Sequence, residues 1–176
     1  MAIRRGAEPP PTERVQAAYK QLSLAANSLN VASDELGKAI SVLDAALQKL
    51  NLGVSAWADL SSNEDTDAGT WWNRRIGYTK IRDKWGVALR TASGNYNWPN
   101  DDSEELWLFN DAPRWMRIEA VGKIPDLLEE LLRQAEDTTK KIKNKTTQAY
   151  ELAAAMSKVA QEVQAAEGEQ HEHPAK

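Results

Sequence analysis

The residues best suited by type and spacing to do chemistry lie between Trp71 and Arg90. Six cations, Arg74, Arg75, Lys80, Arg82, Lys84 and Arg90, stand there against the single anion Asp83, a net charge of +5. Trp71, Trp72, Tyr78 and Trp85 are interleaved with them. Cations that follow phosphates and rings that stack on bases are the parts of a sheet-based binder of single-stranded nucleic acid. Arginine and lysine stems lying over tryptophans on an exposed strand face explain the same residues without any nucleic acid. Tryptophan and arginine also dominate binding hot spots between proteins. Trp71, Trp72, Tyr78, Lys80, Arg82 and Arg90 are therefore the expected partner-binding surface, with a protein partner preferred and single-stranded nucleic acid the alternative.

Other constellations carry less. Two acidic stretches flank the basic one: Glu64, Asp65 and Asp67 on one side, and Asp101, Asp102, Glu104 and Glu105 on the other. Neither has the glycine-centred spacing of a calcium loop, and clustered loop acids are normally hydrated rather than held as a glycosidase pair. Cysteine is absent, which excludes disulfides, thiolate zinc sites and cysteine nucleophiles. The two histidines, His171 and His173, lie in a polar terminal stretch ill-suited to fixed geometry. No phosphate-cradling glycine motif occurs. The expectation is a non-enzymatic protein with no catalytic residue, cofactor or metal.

The elements that must position the basic segment are legible from periodicity. Val15, Leu22, Leu29, Leu36, Leu43 and Leu50 recur every seven residues, and Ala18, Ala25, Ala32, Ala39 and Ala46 follow three places behind. This is the a/d spacing of a coiled-coil seam, over a helix predicted for 12–52, capped by Thr12 and stopped by Asn51 and Gly53. Leu128, Ala135, Ile142, Ala149, Met156 and Val163 repeat in the same way near the other end. Asp111 and Pro113 suit the start of a helical segment spanning 112–167, and Pro125 should kink it or divide a short helix from a long one. The two rods are predicted to pack flank to flank.

Between them, residues 54–110 hold six of the seven tryptophans and read as an antiparallel sheet. Strands are predicted at Val54–Leu60, Thr70–Ile81, Trp85–Thr91 and Glu105–Phe109. A three-residue turn of Arg82, Asp83 and Lys84 would put Ile81, Trp85, Val87 and Leu89 on one face. Tyr78, Lys80, Arg82 and Arg90 would then share the other.

The fold class is thus α+β: two long, antiparallel, coiled-coil-like helices flanking a small Trp-rich antiparallel β-sheet head. A single domain is expected over 12–167, between a disordered N-terminal arm at 1–11 and a disordered tail at 168–176. A second apolar line on the first helix, Ala17, Leu24 and Val31 continued by Val42 and Ala45, exceeds what one partner helix covers. Leu24, Val31 and Val42 are the expected self-association surface of a homo-oligomer. A mild excess of acid, 26 against 22 basic residues, argues against coating nucleic acid or anionic membranes. No long apolar run leads to the expectation of a soluble protein without a membrane span, and the absence of cysteine to that of a reducing cytoplasm.

Overall fold

A computed structural model describes residues 10–98, 100 and 102–171, with side chains described to residue 164. Three α-helices and a four-stranded antiparallel sheet make up the described chain. The first helix, α1 (Pro11–Leu50), opens on proline rather than on the predicted Thr12 cap. Pro10 is the N-cap residue, and its carbonyl accepts the amides of Glu13 and Arg14. Proline suits a first turn, where no intrahelical donor is required. The predicted stop is present: Asn51 takes the left-handed conformation, φ 48°, and donates its amide to the Gln48 carbonyl.

The strands are β1 (Ala56–Asp65), β2 (Thr70–Ile81), β3 (Lys84–Asn95) and β4 (Ser103–Leu108), in meander order. Ile81 pairs with Lys84, so the β2–β3 turn has two residues, not three. Arg82 and Asp83 have φ of 45° and 68°, the left-handed pair that a type I′ hairpin turn demands. One residue fewer in the turn exchanges faces along the returning strand. Tyr78 and Lys80 therefore share a face with Trp85, Val87 and Leu89, while Arg90 lies on the opposite one, correcting the predicted division.

The face bearing Tyr78 is the inner one. Its buried residues Ala56, Ala58, Ile76, Tyr78, Val87 and Leu89 join Ile40 and Leu47 of α1 in a single core. After β4, a 3-10 turn (Phe109–Asp111) buries Phe109. It leads to α2 (Arg114–Val121), which contributes Met116 and Ala120. Pro113, not Asp111, is the N-cap of α2. Pro125 lies in the first turn of α3 (Ile124–His171), so the chain divides into a short and a long helix, the second of the two outcomes anticipated. The backbone of α3 continues four residues beyond 167; residues 1–9, Pro99, Asp101 and 172–176 fall outside the described set.

Each long helix lies on the sheet by one end only. The stripe Leu36, Ile40, Leu43 and Leu47 seats α1 over β3, and Leu127 and Leu131 seat α3 over β1 and β2. Gly37 permits the fit on the α1 side, since a Cβ there would lie 2.8 Å from Asn110 Oδ1. Among the described residues the two rods share no extended contact, and the predicted seam is not closed between them. The inner face of the sheet, supplemented by Phe109 and Met116, offers each helix a broader apolar seat than the other helix does.

Candidate functional site

The residues expected to form one binding surface are distributed over both faces of the sheet. Trp71 and Arg90 lie on the outer face, where each large indole covers the glycine directly across from it. Trp57 lies over Gly77, and Trp71 over Gly94. The Arg90 guanidinium stands 5.4 Å from the Trp57 ring and 3.9 Å from Glu104. Trp72 points inward, and Arg74 beside it is held between the Trp72 and Trp115 rings, 4.5 Å from each centroid. Arg75 pairs with Asp59 at 2.6 Å and Lys80 with Asp83 at 2.9 Å. Arg82 is at the exposed hairpin tip. Four of the six cations thus already have carboxylate or indole partners within the fold, which leaves little of a continuous phosphate track.

The acidic stretches have local explanations too. Asp65 accepts the amides of Asp67 and Ala68, closing the β1–β2 turn, and Glu64 accepts the Tyr96 hydroxyl at 2.9 Å. That hydrogen bond is the main reason the Tyr96 hydroxyl is harder to deprotonate than usual. Among the described residues, no three histidine, aspartate or glutamate side chains gather in a metal-binding arrangement.

Two features do stand out. The first is the pair of helical arms. Every residue of α1 from Pro11 to Ala32 is exposed, as is every described residue of α3 from Thr139 onward. The apolar seam residues on these arms, Val15, Leu22 and Leu29 on one and Ile142, Leu152, Met156, Val159 and Val163 on the other, are 49–75% exposed. Leu24, Val31 and Val42 are exposed beside them. The thirteen residues from Gln21 to Ser33 contain no charge at all, in a chain that is 27% charged. Apart from Asn30 and Ser33, which accept hydrogen bonds from Arg114 and Arg117 of α2, this uncharged, apolar-lined stretch faces water, the reverse of the usual surface helix.

The second is a cleft of about 640 Å³ where the C-terminal end of α1 meets the sheet. Tyr78 and Trp85 stack beside it, ring centroids 5.5 Å apart and planes inclined by 23°. Asp44 also lines it, accepting the Val87 amide on Oδ1 at 2.6 Å. One helical turn further along, Gln48 donates to the Trp85 carbonyl at 2.7 Å. Pairing of β3 with β4 ends at Ala88 and Leu108, so these two α1 side chains satisfy the stretch of β3 edge that β4 does not reach. Burial raises the Asp44 pKa above 3.8, and the Val87 amide only partly offsets it. The Tyr78 hydroxyl is raised by its own burial and then by the Asp44 charge.

Of the expected head residues, Tyr78 and Lys80 are brought to this end of the inner face; Trp71, Trp72 and Arg90 are not. Asp44 and Gln48 escaped the sequence reading. The available signal was an acid four residues after Ile40 and three before Leu47, on the edge of an apolar stripe. Comparison of the chain with protein-family models, with curated proteins and with solved structures finds no match.

Proposed function

We propose that the protein is a non-enzymatic assembly module in which the α1 and α3 arms of one copy associate with those of a second. The observation that carries this reading is the exposure of the periodic seam on both arms. Lone helices of 22 and 26 exposed residues gain little from propensity; in proteins such rods owe their stability to packing along an apolar face. A second copy suits the surface because both arms repeat at seven, α1 offering the small Ala18, Ala25 and Ala32 and α3 the larger Ile142, Met156 and Val163 about Ala149. Small residues against large ones allow close helix approach. The charge-free Gln21–Ser33 stretch fits the middle of a four-helix assembly. Lys140, Lys141 and Lys143 lie off the seam register and fit its solvated outside, whereas Lys145, three places after Ile142, interrupts the seam and marks its weakest point.

Sedimentation of the full chain tests this. The wild type is expected to run as a dimer or larger, and Leu22→Lys with Leu29→Lys as a monomer that keeps its sheet-seated helices by circular dichroism. Leu24→Lys with Val31→Lys reports whether the second apolar line is also covered. A wild type that sediments as a monomer at high concentration removes the proposal.

A further inference from the structure

The cleft at the end of the sheet has a chemistry of its own, independent of the arms. We propose that it binds an organic ammonium group carried on an apolar stem, with Asp44 as counter-ion and the Trp85 ring as the wall.

The argument starts from Asp44. Its Oδ1 is taken by the Val87 amide, whereas Oδ2 has no hydrogen-bond partner among the described residues. A Cβ on Gly86 would lie 3.4 Å from that oxygen and 3.3 Å from Leu108 Cδ2, so the glycine keeps the space beside Oδ2 clear. An asparagine would also accept the Val87 amide, through a weaker bond but without the cost of a half-buried charge, and for Asp44 burial outweighs the bond. The carboxylate is therefore unfavourable to folding at neutral pH, as its raised pKa shows, and is best explained by a cation that it attracts.

The surroundings select among cations. Asp111 and Asp83, the latter paired with Lys80, also line the cleft beside Lys84, so with Asp44 the carboxylates outnumber the cations three to two and anions are disfavoured. A hard metal ion needs several oxygen ligands converging at one point, and no such group exists among the described residues. An alkylammonium needs one carboxylate, an aromatic face and apolar walls. Asp44, Trp85 stacked on Tyr78, and Leu52 with Leu108 supply these in turn. The volume lies within the range of small-ligand pockets, leaving room for the stem.

Saturation-transfer NMR on the full chain tests the proposal with n-butylammonium chloride and its neutral analogue n-butanol. The ammonium should bind about tenfold more tightly than the alcohol, a difference of about 1.4 kcal/mol, and Asp44→Asn should abolish that preference. Trp85→Leu, with Asp44 intact, should weaken ammonium binding by a similar factor, and it serves if Asp44→Asn does not fold. A blocked Gly-Lys-Gly peptide that binds more tightly than butylammonium assigns the group to a protein side chain; the reverse order assigns it to a free amine. Absence of butylammonium binding, equal binding of the alcohol, or undiminished preference in Asp44→Asn overturns the proposal. None of these outcomes depends on whether the arms associate.

Discussion

Asp44 allows the energetics of the α1–β3 junction to be separated into two parts. Its carboxylate accepts the Val87 amide, and it carries a charge that burial disfavours. Asp44→Ala removes both. The Val87 amide, at a residue with no exposed surface, then has no acceptor, at a cost of about 1–3 kcal/mol. For a chain of this size that corresponds to a fall in Tm of roughly 2–12 °C. Asp44→Asn removes the charge alone. Because the folded state holds the Asp44 proton more tightly than the unfolded chain, the charge penalty is absent below the ordinary value of 3.8. It grows as pH rises through the elevated folded value and is constant above it. Asparagine should therefore match the wild type near pH 3.5 and exceed it at pH 7, while alanine is less stable than asparagine at both. Urea unfolding followed by tryptophan fluorescence at the two pH values measures this directly, since all other titrating groups are shared and cancel in the difference. Alanine as stable as asparagine, or an asparagine variant that gains nothing between pH 3.5 and 7, would refute the reasoning.

Three further perturbations probe other parts of the fold. A Cβ on Gly77 would lie 2.3 Å from Trp57 Cε3, so Gly77→Ala should displace the indole and its Arg90 contact and cost about 1–3 kcal/mol by thermal unfolding; the loss should shrink in a Trp57→Ala background. Replacing Arg82 and Asp83 by Asn-Gly relieves two left-handed non-glycine residues and should stabilise by about 1–2 kcal/mol in denaturant titrations; no gain would count against the type I′ turn. Hydrogen bonds from Arg133 and Gln134 hold the Glu130 carboxyl at about 2, so it contributes stability above its ordinary 4.5 that is lost as pH falls toward 2. Glu130→Gln should accordingly lower the melting point at pH 7 and converge with the wild type in strong acid.

Much of the architecture was legible from the residues alone. The predicted β2 has the observed bounds, because a run rich in β-branched and aromatic residues is set between a glycine and a tight turn. The α1 stop was equally plain from Asn51 and Gly53. The hairpin turn was not, since Arg82-Asp83 lacks the glycine that announces left-handed geometry, and the faces of Tyr78, Lys80 and Arg90 were misassigned as a result. The heptad seam reads as an intrachain contact, whereas the two rods diverge onto separate parts of the sheet. Heptad spacing states that a helix has an apolar face, but nothing in Val15, Leu22 or Met156 says which surface covers it. The cleft was hidden for a different reason: Asp44 meets Val87 across 43 positions of sequence, and no local pattern connects them.

The way α1 closes the corner of β3 has a consequence for how copies of this molecule can meet. Two side chains one helical turn apart, about 6 Å along the axis, nearly match the two-residue repeat of a strand, about 6.7 Å. Asp44 and Gln48 thus occupy the acceptor and donor stations that an incoming strand would use. The open hydrogen-bonding row that invites runaway edge-to-edge growth is stoppered there, so a neighbour finds no backbone to zip onto at this corner.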